Sequence, residues 1–191
     1  MKLKRIAIIQ SGHLPRGKIE PHQDGSHFLL QARNVDGRHL FYKKDDLVKF
    51  YPALSKKDWI LTKGDIVVMA RGAKNYAALI AHIPKPALAA ACFFIVRVSD
   101  EKLLPEYLCW YMNQAPAVHY FQRLSGRGVH MPVVRRSVLE NIDIPLPNRK
   151  IQEKIVALEA LRREEVDLIN SLAEKRKQLI TASCLKLISG C

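Results

Sequence analysis

The sequence predicts a mixed α+β fold: a strand-rich, twisted domain with short helices over residues 1–147, followed by one long helix within residues 148–191. Three observations predict it. From Met1 to about Val98, short β-like runs alternate with Gly, Asp, Asn and Pro. Between Leu104 and Leu124 the apolar residues change to helical spacing. From about Lys150 to Leu187 neither Gly nor Pro interrupts a run rich in Leu, Glu, Lys, Arg and Ala.

The strand candidates are RIAII (5–9), HFLLQARNV (27–35), WILTKGDIVVMA (59–70), AALIAHI (77–83) and ACFFIVRV (91–98). Gly64-Asp65 is a turn placed before a strand at Ile66 to Ala70, and Arg71-Gly72 ends that strand in the polar loop AKNY. The longest apolar run, Ala87 to Val96, is about half the ~20 residues a membrane span requires, so it reads as a core strand.

Pro105 suits the first turn of a helix in which Leu104, Leu108, Tyr111 and Met112 recur at helical spacing. Pro116 opens a second helix with Val118, Phe121 and Leu124 on one face and Gly126 placed to stop it. Ser137 and Glu140 form a capping-box pattern, and the alternation Ile142, Ile144, Leu146 follows. Pro145 and Pro147 close the domain with a stiff, extended exit, and Asn148 is a candidate cap for the next helix.

That last helix would extend on the order of 55 Å. One stripe, Ile151, Ile155, Leu158, Arg162, Val166, Ile169, Ala173, Arg176 and Ile180, follows the period of a nearly straight helix. A second, Leu161, Leu168, Leu172 and Leu179, widens the apolar face. The expectation is a coiled-coil or docking helix meeting a separate partner through Ile151, Ile155, Leu158, Val166, Ile169, Leu172, Leu179 and Ile180. The alternative is a helix folded back over its own sheet.

Thirty-one Lys and Arg against eighteen Asp and Glu give a formal charge of +13. Residues 148–191 hold nine basic and six acidic side chains, so +3 of that charge lies there and +10 on residues 1–147. Nucleic acid, an anionic membrane surface or an acidic protein could each draw such a field. The four cysteines, at 92, 109, 184 and 191, form no Cys-x-x-Cys pair, and no secretory segment is seen. A reduced, cytoplasmic protein without a membrane partner is expected, with Cys92 and Cys109 packed as small hydrophobes.

The sequence offers little catalytic chemistry. It has no Gly-rich cofactor loop or Asn-Pro-Pro-Tyr motif for adenine methylation, no P-loop and no His-Glu-x-x-His. Asp65 and the Asp100–Lys102 stretch match no nuclease spacing, and His22, Asp24 and His27 lack a further metal ligand at sensible spacing. No catalytic residue, metal site or cofactor of its own is expected. Arg71, Lys74 and Asn75 share one loop, while Arg123, Arg127, His130, Arg135 and Arg136 gather in another region. Arg and Lys contact phosphates or guanine edges and Asn pairs with adenine, so Arg71, Lys74, Asn75, Arg123, Arg127 and Arg135 are the candidate DNA contacts.

Three blocks, KGDIVVMARG, FFIVRVSDEKLLPEYLCWYMNQ and LSGRGVHMPVVRRSVLENIDIPLPNRKIQEKIVAL, resemble the specificity subunit of type I restriction-modification systems from about residue 58 to 180. The IPLP exit and the Gln-x-x-Ile helix start are the most specific parts. The resemblance implies a target-recognition domain followed by a helical spacer, each usually present twice in one chain and here once. It also implies double-stranded DNA as ligand, with modification subunits docked on the spacer and bringing S-adenosylmethionine, and a restriction subunit joining them. Gly64, Asp65 and Pro145 match family positions that look structural. A single copy implies a half-size subunit that dimerises through residues 150–187 and reads a split symmetric site, or a piece of a longer polypeptide. A basic protein-interaction adaptor and a nuclease are the rival readings.

Overall fold

The structure is a computed structural model that describes residues 1–14, 19–35, 47–53, 59–72, 75–124 and 133–189. The chain divides into two compact units, Met1–Gln152 and Glu153–Cys191. The architecture is mixed α+β, with seven strands in two sheets among the described residues and a long C-terminal helix.

The first sheet has the order β1 (Ala7–Ser11), β7 (Phe93–Val98), β4 (Ile66–Met69), β5 (Ala77–Leu79), with every neighbouring pair antiparallel. β4 is buried along its whole length, which explains its unbroken Ile-Val-Val-Met run. The second sheet has the order β3 (Val48–Phe50), β2 (His27–Leu30), β6 (Ala87–Ala89), with β2 and β6 parallel. A core of Leu30, Leu61, Val67, Met69, Phe93 and Ile95 draws residues from both sheets.

The run Ala87 to Val96 is therefore two strands rather than one. β6 belongs to the second sheet and β7 to the first, and the turn at Ala90–Cys92 carries the chain between them. Leu30 O accepts from Ala90 N (2.8 Å) while Phe93 N turns back to Ala90 O (3.0 Å), a bend that an uninterrupted strand could not make. The HFLLQARNV segment likewise stops as a strand at Leu30 and continues as a 3-10 turn, Ala32–Asn34. In WILTKGDIVVMA only Ile66–Met69 is strand, preceded by an isolated bridge from Ile60 to Leu88.

Helix α1 (Pro105–Met112) starts with Pro in its first turn and buries Tyr107, Leu108, Cys109 and Met112. Helix α2 (Ala115–Leu124) begins one residue before Pro116 and buries Ala117 and Phe121, leaving Leu124 exposed. Gly126 lies outside the described residues. Asn113, between the two helices, donates to Ala77 O (2.9 Å) and accepts from Ala77 N (3.0 Å), so a side-chain amide pairs with the free edge of β5. Helix α3 (Arg136–Glu140) takes Arg135 as its N-cap, without a side-chain cap. The Ser137–Glu140 capping box does not form, because Ser137 is already inside the helix and Glu140 instead accepts from Arg136 Nε (2.7 Å).

Helix α4 (Arg149–Ser189) is capped by Asn148, whose Oδ1 accepts from Ile151 N (3.1 Å). Its first turn belongs to the first unit. There Gln152, with no exposed surface, donates to Lys102 O and Pro147 O (2.8 Å each) and accepts from Leu104 N (2.9 Å). A single amide thus satisfies three backbone groups, which accounts for Gln at the start of the Gln-x-x-Ile motif. Tyr107 Oη donates to Pro145 O (3.0 Å), and Ile144 exchanges backbone hydrogen bonds with Met1, tying the proline-rich segment to the domain.

The second unit is helical. Leu158, Leu161, Leu168, Leu172 and Leu179 are between 51% and 68% exposed. Glu159 accepts from Arg162 (2.7 Å) and Arg163 (3.1 Å), which hold its carboxyl below the usual range.

Candidate nucleic-acid interface

Several backbone segments converge where β6 turns into β7. Gly12 N donates to Phe93 O (2.9 Å) and His13 N to Ala89 O (2.7 Å), bringing the end of β1 onto the turn. Gly12 is required here, because a Cβ would collide with the carbonyl oxygen of Ala90. Ala70 N and Arg71 N both donate to Cys92 O (2.8 and 3.3 Å), so the strand end that carries Arg71 is anchored at the same turn. Val134 N then donates to Ala70 O (2.9 Å), and Val133 forms an isolated antiparallel bridge with Arg71.

This bridge joins the two regions in which basic residues cluster along the sequence. Arg71 is exposed at the end of a fully buried strand, and Arg135 is exposed two residues beyond Val133, its carbonyl accepting from Val138 N and Leu139 N of α3. Asn75 turns inward in part: its Nδ2 donates to Met69 O (3.0 Å) and closes the loop against β4. Arg123 is exposed in the last turn of α2 and lines a pocket of about 320 Å³ with Tyr111, Pro116, His119, Tyr120, Ile142 and Asp143. Tyr120, which lines this pocket, donates its hydroxyl to Val138 O (3.1 Å) in α3, the helix that Arg135 caps. Lys74 and Arg127 lie outside the described residues, as does His130.

The pocket is electrostatically mixed. Lys2 Nζ donates to Asp143 Oδ2 (2.6 Å) and, with the nearby N-terminal amine, holds this exposed carboxyl below its ordinary range. Burial, and then the charge of Asp143, raise the Tyr111 hydroxyl.

Arg97 is withdrawn from the basic surface. Its guanidinium donates twice to Asp65, at 2.7 Å to each oxygen, and once to Ile60 O (3.2 Å). Asp65, only 1% exposed, also accepts from Thr62 N (2.8 Å) and Thr62 Oγ1 (3.1 Å). The residue read from sequence as a turn former is thus the centre of a satisfied ion pair, beside Gly64 at φ 91°.

Two further groups escaped the sequence reading. Lys49 sits over the Phe28 ring at 5.5 Å, and His22 meets Tyr51 edge-on at 5.0 Å. Both depend on β3, whose three residues are too short for periodicity to reveal. His13 is buried beside Phe50 and Trp59, and among the described residues its Nδ1 has no partner. Burial, followed by the charge of His27, lowers its pKa. Among the described residues no three His, Cys, Asp or Glu side chains gather to hold a metal, and no helix is long and apolar enough to cross a membrane. Cys109 is buried, and burial pushes the half-buried Cys92 thiol up.

Solved structures share this fold. The HsdS subunit of Thermoanaerobacter tengcongensis aligns with a TM-score of 0.58 at 18% identity, covering 87% of this chain and 37% of its own. A structure described as the basis of complex assembly and conformational transition of the type I R-M system aligns at 0.62 and 18% identity, covering 93% and 41%. The type I S subunit of M. genitalium aligns at 0.54 and 17% identity, covering 93% and 42%. Among curated proteins, the specificity subunit of the type I restriction enzyme MjaVIII from Methanocaldococcus jannaschii is 25% identical in an alignment 201 positions long that covers 99% of this chain and 44% of that protein. The chain spans about two fifths of the length of these relatives. Residues 29–178 match the family described as type I restriction modification DNA specificity domain, so more than three quarters of the sequence carries its pattern, and the chain belongs to that family.

Proposed function

We propose that this chain is a sequence-reading specificity subunit of a type I restriction-modification complex, non-catalytic itself and built from one recognition unit and one helical spacer. The bridge between Arg71 and Val133 carries the reading: it sets two basic regions side by side at one end of a domain whose family is defined by DNA specificity. The +10 charge on residues 1–147 supports double-stranded DNA as the ligand, because counterion release rewards a concentrated basic surface. Arg71 and Arg135 are the leading contacts, Arg123 a peripheral one, and Asn75 a residue that positions the loop. Lys74 and Arg127 complete the set from sequence alone.

The apolar helix face, Ile151, Ile155, Leu158, Val166, Ile169, Leu172, Leu179 and Ile180, serves a second copy and the modification subunits, which bring S-adenosylmethionine. A restriction subunit joins the assembly. Two copies would read a split, symmetric target in the cytoplasm.

The test is selection from a randomised duplex pool at two salt concentrations, with and without a cognate modification subunit. Enrichment of a two-part motif that sharpens with the partner is expected. Salt-sensitive binding without a motif would reduce the chain to a basic docking protein, and metal-dependent cleavage by the chain alone would overturn its non-catalytic role.

A further inference from the structure

Pro116, His119, Tyr120 and Arg123 lie at helical spacing on one stripe of α2, and all four line the pocket of about 320 Å³. Tyr111 of α1 and the pair Ile142 and Asp143 close its other side. Tyr120 is fixed twice. Its ring meets buried Phe121 edge-on at 5.7 Å, and its hydroxyl donates to Val138 O at 3.1 Å. That wall is therefore set before any ligand arrives.

Hydrogen-bonding capacity in this pocket is one-sided. Its carboxylate, Asp143, is already engaged by Lys2 Nζ at 2.6 Å. Arg123 and His119 are exposed, and among the described residues neither side chain has a hydrogen-bond or ion-pair partner. Burial, and then the charge of Asp143, raise the Tyr111 hydroxyl, which stays protonated as a donor. Guanidinium, imidazole and phenol thus offer more donors than the pocket has free acceptors. The complement of such a site is an acceptor-rich anion, and the volume admits a phosphate with its sugar attached.

We propose that this pocket is a phosphate subsite for the backbone of duplex DNA, with Arg123 and His119 as the phosphate contacts and Tyr111 as a further donor. The proposal rests on the DNA reading given above and deepens it, since phosphate contacts fix register and carry no sequence information. Connectivity favours a DNA phosphate over the carboxylates of an acidic protein. Val138, whose carbonyl receives the Tyr120 hydroxyl, donates its own amide to the carbonyl of Arg135 (3.0 Å). Val134 N donates in turn to Ala70 O (2.9 Å), beside the bridge between Arg71 and Val133. One run of hydrogen bonds therefore holds the pocket in fixed relation to Arg71 and Arg135. A duplex backbone seated in the pocket is registered against both arginines.

Binding of the full chain, together with a cognate modification subunit, is measured over a range of salt on the duplex it selects and on an unrelated duplex. Combining Arg123→Gln with His119→Gln should weaken both duplexes alike and flatten the salt slope by ~1. The fall in affinity between about 50 and 200 mM salt should then narrow roughly threefold. Asp143→Asn removes the opposing charge and should tighten both duplexes. Circular dichroism checks that each variant folds. A loss confined to the selected duplex would make the pocket a base-reading site and overturn the phosphate assignment. Unchanged DNA binding in the double variant would overturn it too, and weaker capture of the modification subunit beside that result would assign the pocket to a protein carboxylate. In either case Arg71→Ala still reports on DNA reading. A chain that binds no duplex at any salt, even with the partner, would overturn that reading as well.

Discussion

Leucines in the two units meet opposite environments. Leu29, Leu30, Leu61, Leu88 and Leu108 have no exposed surface, whereas Leu158, Leu161, Leu168, Leu172 and Leu179 are more than half exposed. The residue type is the same and the local propensity is satisfied in both. The first unit closes its apolar surface on itself through two sheets and three short helices, and its excess charge is left facing outward. The second unit is a helix that carries its apolar stripe on an exposed face. One unit carries most of the formal charge and the other an exposed apolar stripe.

The sharpest way to break this comparison is to delete equivalent leucines. Leu88→Ala should destabilise the first unit by about 2–5 kcal/mol, because a fully buried side chain leaves both lost contacts and a cavity. Leu168→Ala should leave the stability of that unit unchanged to within about 0.5 kcal/mol while weakening self-association. Denaturant unfolding followed at the tryptophans measures both. Equal losses would show that the two units are not separate folding environments.

Gln152→Leu should come next in size. It keeps the bulk but orphans Leu104 N, Lys102 O and Pro147 O, for a loss of about 2–3 kcal/mol. Amide exchange at Leu104 should accelerate in parallel. Unchanged exchange would mean that the three bonds do not hold this junction.

At the basic end, Arg71→Ala should weaken preferred DNA by about 1–3 kcal/mol if the side chain reads a base edge, or lower all binding and flatten the salt slope by ~1 if it meets a phosphate. Arg123→Ala should do less, given the Asp143 carboxylate in its pocket. Indifference to both changes would move the interface elsewhere on the first unit.

The smallest effect expected is a pH dependence from His13. Its folded-state pKa is lowered by burial, so the unfolded chain binds the proton more readily and stability falls as pH drops below about 6.5. His13→Leu should remove that part of the slope. A melting temperature with the same acid dependence in the variant would assign the slope to other groups.

Much of the fold is local and was legible. The Gly- and Pro-free run of α4, Asn148 at its start, Pro105 at the head of α1 and the Gly64 turn each depend on interactions within a few residues. Strand β3 was not legible, and β6 was legible only as part of one longer strand running into β7. Each has three residues and exists because β2 lies beside it, contributed by a distant part of the chain. The same holds at the candidate interface: Arg71 and Arg135 were visible as members of separate basic clusters, but their approach depends on a bridge across more than sixty residues of sequence. Asp65 and Arg97 were both visible too, and only their pairing reveals that this arginine is not part of the basic surface.

What the sequence by itself determined, then, is the position of the charge, the uninterrupted helix and the apolar stripes on it, all of which follow from spacing along one chain. Tertiary structure decided which basic residues become neighbours, how Ala87 to Val96 splits between two sheets, and why Gln152 must be an amide. These depend on hydrogen bonds between segments far apart in sequence, whose partners exist only once both sheets have formed around the Ala90–Phe93 turn.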